Sequence, residues 1–182
     1  LTSSGRIYTW GTGTRINSGA AQDRTYATEI TKPTGVTPKM IGMTQSEDGK
    51  TYYLLATDGK LYSMGSNNRQ QLGWGGTINS NVWGQVTVSE TVSGTTYTIG
   101  SNVVWISPQE HDAGTQVTNN ASINIITSQG KVWAWGDNNY GMLGYPTSTA
   151  TSDPHVMPGR ITGAYDNKKL NMSDVIMAVE TG

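Results

Sequence analysis

Residues 129–136 read Gln-Gly-Lys-Val-Trp-Ala-Trp-Gly, and the fold follows from this stretch because the chain repeats it. The pattern occurs earlier in residues 58–65 as Asp-Gly-Lys-Leu-Tyr-Ser-Met-Gly and in residues 4–11 as Ser-Gly-Arg-Ile-Tyr-Thr-Trp-Gly. Each copy has a glycine, a basic residue, apolar positions that alternate with small ones, and a closing glycine. Alternation with a period of two indicates a strand with one buried face, and the first glycine suits a hairpin turn.

An apolar strand runs into each of these turns, in residues 53–57, in residues 124–127 and, as a remnant, in residues 1–2. We therefore predict three hairpins with two-residue turns at Ser4-Gly5, Asp58-Gly59 and Gln129-Gly130. A proline-bearing segment follows in two copies, and a further apolar strand ends each unit, in residues 39–43, 103–107 and 175–179.

Four short strands per unit predict an all-β fold built of β-propeller blades. The hairpin glycines are 54 residues apart (Gly5 to Gly59) and 71 residues apart (Gly59 to Gly130), which suits propeller blades. We expect one repeat domain over residues 1–182, with about three four-stranded antiparallel blades in approximate repeats 1–46, 47–110 and 111–182. The longer spacing holds a predicted hairpin at residues 92–100 and an insertion at residues 109–121.

The loops after the hairpins also match, residues 65–73 with residues 136–144. Together, the hairpin and this loop resemble the repeat of the regulator of chromosome condensation family, which implies a seven-bladed β-propeller. The chain departs from the family before the hairpin, where the usual His-Thr pair is replaced by longer, different segments. The resemblance therefore implies a divergent member, and no specific partner is carried over from it.

About three blades are too few for a closed propeller, which needs roughly four to eight. Open blades would leave strand edges and apolar faces in water. We expect the chain to be part of a larger propeller, or to pack edge to edge with other copies.

The composition excludes several classes of function. The 182 residues carry 12 basic and 13 acidic side chains, so no broad positive field favours nucleic acid. No apolar run approaches the ~20 residues of a membrane helix, so we expect no membrane insertion. Cysteine is absent, and the chain is rich in glycine, with 23 residues. This composition favours an extracellular or particle-surface location, such as a virion or cell surface, with the cytoplasm as the alternative.

Only one cluster has the residue types of a catalytic or metal site, namely Glu110, His111 and Asp112. Adjacent side chains alternate in direction and do not easily converge on one ion. The only other histidine is His155, and no Gly-x-Ser-x-Gly nucleophile motif is present. We expect no catalytic residue, no cofactor and no metal, and no pocket that brings either histidine to both a nucleophile and a carboxylate.

The aromatic residues divide into two groups. The strand positions are expected to be core or inter-blade packing: Tyr8, Trp10, Tyr62, Trp133 and Trp135. Aromatic side chains in connecting loops are typical anchors of protein interfaces. With the polar insertion, they make the candidate partner-binding residues: Trp74, Trp83, Tyr97, Glu110, His111, Asp112 and Tyr145.

These features favour a non-catalytic protein-interaction or structural propeller whose loops meet a protein partner. A glycan-binding module is the first alternative, favoured if the loop tryptophans lie flat and exposed. An enzyme with a central-channel site is the second. The family resemblance suggests a third, guanine-nucleotide exchange or chromatin binding, against which the lack of a basic face and of a lysine-rich tail argues.

Overall fold

A computed structural model describes residues 1–14, 21–46, 49–109, 121–139, 141, 143–144 and 151–156. Every regular element in these residues is a β-strand, and no helix among them is long and apolar enough to cross a membrane. The strands in chain order are β1 (Ile7–Thr14), β2 (Gln22–Ile30), β3 (Pro38–Ser46), β4 (Gly49–Ala56), β5 (Leu61–Gly65), β6 (Ser80–Gln85), β7 (Val88–Val92), β8 (Thr95–Ile99), β9 (Val103–Pro108), β10 (Ser122–Thr127), β11 (Val132–Asp137) and β12 (Thr151–Val156).

The strands form two antiparallel four-stranded sheets, β3-β4-β5-β6 and β9-β10-β11-β12, which we call the first and second blade. Both are simple meanders in which consecutive strands pair. Two further sheets have two strands each, β1-β2 and the predicted hairpin β7-β8 between the blades. The all-β fold of four-stranded antiparallel blades is thus confirmed. We expected about three four-stranded blades, and the described residues form two, because the first unit contributes only β1 and β2.

The three repeat turns share one hydrogen-bond pattern. The amide of Gly59 donates to the carbonyl of Ala56 at 3.1 Å, and the amide of Ala56 donates to the carbonyl of Lys60 at 2.8 Å. The same pairs recur around Gly5 and Gly130, and all three glycines have positive φ, of 75°, 82° and 70° in chain order. Each connection has three residues, so the prediction of two-residue turns was wrong. The glycine follows a tight turn as a bulge residue in the left-handed region.

The blades are offset from the three approximate sequence repeats, because the apolar strand at the end of one repeat is the first strand of the next sheet. β3, in residues 38–46, pairs with β4, and β9 pairs with β10. The proline-bearing segment of the last repeat is β12, whose Pro154 lies on the outer strand of its sheet. A proline is tolerated there because an edge strand needs fewer ladder hydrogen bonds.

Apolar side chains fill the spaces between consecutive sheets. One cluster joins the facing sides of the two blades and is capped by the β7-β8 hairpin: Tyr53, Leu55, Leu61, Val86, Ile99, Val103, Ile106, Ile123, Ile125, Trp133 and Trp135. A second joins the β1-β2 sheet to the other side of the first blade: Ile7, Ile30, Tyr52, Leu54, Ala56 and Met64. A third covers the far side of the second blade: Ile126, Val132, Ala134 and Leu143.

One aromatic strand residue is not in the core. Trp133 and Trp135 are fully buried, and Tyr8 and Tyr62 are half-buried, but Trp10 is 63% exposed. The prediction of packing was therefore wrong for Trp10. Its counterparts Met64 and Trp135 are buried in clusters between two sheets, whereas Trp10 belongs to none of the three clusters.

Candidate protein-binding loop

A buried asparagine holds the loop that connects β5 to β6. The backbone amide of Asn67 donates to the side-chain oxygen of Asn79 at 2.7 Å, and its side-chain amide donates to the carbonyl of Gly76 at 3.0 Å. Its side-chain oxygen accepts from the amide of Leu72 at 2.8 Å. Asn67 is 1% exposed, so its polar groups are satisfied by the loop. One side chain thus fixes the loop at several points.

The second blade repeats part of this arrangement. The side-chain oxygen of Asn138 accepts from the amide of Leu143 at 3.2 Å, and its carbonyl accepts from Gly141 at 3.0 Å. Gly141 has a φ of 72°, and the equivalent residue in the first blade is Gln70, with a φ of 60°. The loop conformation is therefore a property of the repeat and not of one blade.

The Asn67 loop, which joins β5 to β6, and β6 itself present apolar side chains to solvent. Trp74 is 37% exposed, Ile78 86% and Val82 62%. The ring of Trp74 lies on Gly84, where an added Cβ would be 2.5 Å from the ring, so the glycine is needed for this contact. Val82 lies on β6 two residues before Gly84. We call Trp74, Ile78 and Val82 the 74–82 surface.

The predicted partner-binding residues lie in different surroundings. Trp74 belongs to the 74–82 surface. Trp83 packs against the second cluster and donates from Nε1 to the carbonyl of Thr31 at 2.9 Å. Tyr97 packs against the first cluster, with the Nζ of Lys131 5.3 Å from its ring centroid.

The remaining predicted residues, Glu110, His111, Asp112 and Tyr145, lie outside the described residues. A partner-binding role for all seven residues stays a prediction. Trp83 and Tyr97 pack against two different clusters within the molecule, and Trp74 lies against Gly84.

Sequence reasoning missed Ile78, Val82 and Asn67. An isolated isoleucine between Gly-Gly-Thr and Asn-Ser was the available signal for Ile78, because turn-rich segments rarely bury a lone aliphatic side chain. The signal for Asn67 was the asparagine that recurs at Asn138, in a loop where a chance match is least expected.

His155 has a carboxylate partner. Its Nδ1 lies 2.8 Å from Oε1 of Glu90, which ties β12 to the β7-β8 hairpin. The sequence analysis predicted that no pocket brings either histidine to both a nucleophile and a carboxylate. His155 has a carboxylate beside it and His111 lies outside the described residues, so the statement stays a prediction. Within the described part of the chain, no group of three or more His, Cys, Asp or Glu side chains could hold a metal ion.

Comparisons with known proteins agree with the fold and the repeat. Residues 129–178 match the family model of the regulator of chromosome condensation (RCC1) repeat. The E3 ubiquitin-protein ligases HERC2 of Homo sapiens and Mus musculus are each 27% identical over 202 aligned positions, which cover 87% of this chain but 4% of the ligase. The chain therefore spans a small part of these relatives.

Solved structures show the same architecture. Human WBSCR16 superposes with a TM-score of 0.56 at 20% identity, covering 87% of this chain and 35% of that one. Yeast RCC1 (Prp20) bound to Kap60 gives 0.56 at 18% identity, covering 91% and 33%. Prp20p from Saccharomyces cerevisiae, described with its binding properties to Gsp1p and histones, gives 0.55 at 13% identity, covering 90% and 36%.

Proposed function

We propose that this chain, a run of divergent RCC1-type propeller blades, is a non-catalytic protein-interaction module that meets its partner through the 74–82 surface. The related yeast propeller binds Kap60, and the description of Prp20p names Gsp1p and histones. Those partners belong to the yeast protein. They support the class of function and do not identify a partner for this chain.

The observation that carries the proposal is the exposure of two aliphatic side chains, one on a fixed loop and one on the strand β6 that follows it. Ile78 is 86% and Val82 62% exposed, although the loop is held by the buried Asn67. Exposed apolar groups on a preorganised loop lose little conformational entropy on binding, so most of their burial contributes to affinity. Trp74 adds the aromatic side chain that is typical of interface anchors.

A glycan-binding module is the second candidate, and one observation favours it. The ring of Trp74 lies against Gly84 and the residue is 37% exposed, and an exposed tryptophan ring is a surface on which a sugar can stack. The neighbouring aliphatic side chains favour a protein instead, because sugars are bound by polar groups beside the ring. The two candidates therefore differ in their dependence on Ile78.

Photo-crosslinking tests the proposal. A benzoylphenylalanine at position 78 should capture a discrete protein from an extract of the source cells, and Trp74→Ala and Val82→Ser should each reduce the yield. Position 26 is the matched control, because Tyr26 is 83% exposed but lies on β2. Capture of the same protein with equal yield from both positions would overturn the proposal.

A glycan array separates the candidates. If the surface binds a protein, Ile78→Ser should weaken binding of the crosslinked protein as strongly as Trp74→Ala does. A glycan ligand should be lost with Trp74→Ala and retained with Ile78→Ser.

The extracellular or particle-surface location remains a proposal from composition. The ligase activity of HERC2 belongs to a protein of which this chain spans 4%.

A further inference from the structure

The outer edge of the first blade differs from the outer edges of the other sheets. Among the described residues, β2, β6 and β12 each end a sheet and pair with one strand only. β2 carries Asp23, Arg24 and Glu29, and β12 carries Asp153 and Pro154. Charged residues and proline are common means by which natural proteins keep an exposed edge from pairing with another strand. β6 has the sequence Ser-Asn-Val-Trp-Gly-Gln and contains neither.

The outer edge of the second blade is also covered by a neighbour. Pro154 has no amide hydrogen to donate, and Nδ1 of His155 lies 2.8 Å from Oε1 of Glu90. This contact places the β7-β8 hairpin beside β12. The last residue of β6, Gln85, is exposed instead.

The ladder between β5 and β6 determines which backbone groups of β6 are accessible. The amide of Val86 donates to the carbonyl of Leu61 at 2.8 Å, and Gly84 pairs with Ser63. Bonding directions alternate along an antiparallel strand, so the amide and the carbonyl of Gln85 point away from β5. An added strand that lies antiparallel to β6 finds there one donor and one acceptor, the two groups that a closely spaced pair of ladder hydrogen bonds requires.

The surroundings of this edge are apolar and uncharged. Val82 is an exposed residue of β6, and the exposed Ile78 lies two residues before the strand begins. Residues 70–89 contain no Asp, Glu, Lys, Arg or His. A segment that approaches this edge therefore meets aliphatic side chains and no charge, which favours an occupant of the same character because a buried, unpaired charge is costly.

We propose that the outer edge of β6 binds a linear segment of the partner protein by β-sheet addition, and that this segment is extended, uncharged and rich in aliphatic residues. The inference rests on the proposed function, because it states how the partner is held at the 74–82 surface. Gln85 supplies the backbone hydrogen bonds, and Val82 and Ile78 supply apolar contacts. In this mode of recognition the main chain contributes affinity and the side chains contribute specificity.

A short segment fits this edge better than the edge of a second folded blade. The ladder of β6 is regular from Val86 to Gly84, and its register then shifts before Ser80 pairs with Gly65. Such an irregularity bends a strand and interrupts its pairing. A flexible segment follows the bend, whereas two rigid edges would meet over a few residues only. A second copy of this chain is therefore the less suitable occupant.

Phage-displayed random heptapeptides serve as the probe. Peptides selected on the immobilised chain should be rich in aliphatic residues and poor in charged ones. A selected peptide, synthesised and added to the isotope-labelled chain, should slow hydrogen exchange of the Gln85 amide about tenfold or more, as expected for a newly bonded amide. The amides of Gly84 and Val86, which already face β5, should not change.

Two substitutions at one position form a matched pair. Gln85→Pro and Gln85→Ala both remove the exposed side chain, but only proline removes the outward amide, and an edge strand tolerates proline where the amide faces solvent. Gln85→Pro should weaken binding of the selected peptide about tenfold, and Gln85→Ala less than about threefold. Far-ultraviolet circular dichroism of both variants checks that the sheets are retained.

An N-methyl scan of the selected peptide tests the same point without altering the protein. Methyl groups at alternate residues should weaken binding, because only every second amide of an added strand faces β6. Equal effects along the peptide, or equal binding to the two Gln85 variants, would rule out strand addition. A selection without enriched peptides would rule it out too, as would a free chain that sediments as a dimer with the Gln85 amide already protected.

The proposed function and strand addition fail in different ways. If the crosslinked protein binds less tightly after Ile78→Ser but equally well to the two Gln85 variants, the 74–82 surface is the binding site and strand addition is wrong. If Ile78→Ser has no effect on that protein, the proposed function itself is wrong. Loss of binding with both Ile78→Ser and Gln85→Pro, and retention with Gln85→Ala, would support both.

Discussion

Trp135 in the second blade donates a hydrogen bond from Nε1 to the backbone carbonyl of Gln71, 64 residues earlier, at 2.9 Å. The same carbonyl accepts from the hydroxyl of Tyr53 at 2.7 Å. Both donors are fully buried. One carbonyl group of the loop after β5 thus links two aromatic side chains from neighbouring blades.

This shared acceptor predicts a non-additive pair of substitutions. Trp135→Phe should lower the free energy of unfolding by about 2–3 kcal/mol, and Tyr53→Phe by about 1 kcal/mol. The double variant should lose about 1 kcal/mol more than the sum, because only then does the buried carbonyl lack both donors. Urea unfolding measures all four proteins. Simple additivity would show that the two bonds are independent.

The loop equivalence predicts opposite effects at one position of the repeat. Gln70 has a φ of 60° where the second blade has Gly141, with a φ of 72°. Gln70→Gly should leave stability unchanged or raise it by up to about 1 kcal/mol, since relief of left-handed strain exceeds the entropy cost of glycine. Gly141→Gln should lower it by about 1 kcal/mol. Thermal unfolding distinguishes the two, and destabilisation by both would contradict the equivalence.

Gly65 closes β5 where the chain passes close to its neighbour. An added Cβ would lie 2.2 Å from the carbonyl oxygen of Lys50, and Gly136 has the same distance to Ala121. Gly65→Ala should therefore cost about 3 kcal/mol or more. Gly94 is the control, because it also has a positive φ, of 82°, but has nothing within 4 Å. Gly94→Ala should cost about 1 kcal/mol, and equal losses would refute the steric explanation.

Burial lowers the pKa of Lys50, and the negative charge of Asp23 opposes that shift by raising it. Because the folded pKa is below the unfolded one, the folded state releases a proton first as the pH rises. The unfavourable contribution of Lys50 to the free energy of folding is therefore complete at neutral pH, and it declines as the pH rises from the folded pKa toward the ordinary lysine value of 10.5.

Lys50→Met should accordingly stabilise the chain at pH 7, and its advantage over the natural sequence should shrink as the pH approaches 10.5. Urea unfolding of both proteins across this range gives the difference. Lys39→Met is the control, since Lys39 is exposed. An advantage that grew with pH would contradict the direction of the shift.

The sequence predicted the blades well because their strands follow local rules. Alternation, turn glycines and repetition in residues 4–11, 58–65 and 129–136 are visible without knowledge of the neighbours. The exact turn length was missed because a glycine bulge and a two-residue turn have the same Asp-Gly or Gln-Gly signature. The third residue is recognised only from the hydrogen bond between Ala56 and Lys60.

The exposure of particular side chains was harder to predict, because it depends on the neighbouring sheet. Trp10 has the same sequence context as Trp135, yet one is 63% exposed and the other is buried. Tyr97 was expected at a partner surface, and it packs against the first cluster beside Lys131. In both cases the deciding contacts are tertiary, so the repeat pattern carries no information about them.

The two ends of the β7-β8 hairpin lie side by side, because Val88 pairs with Ile99. Its base is tied to the blades, while its turn at Ser93 and Gly94 is exposed. A foreign segment inserted between Ser93 and Gly94 would change the length of the chain without changing the distance between β6 and β9. The turn is therefore a graft point at which a reporter or a second domain can be carried while both blades keep their positions.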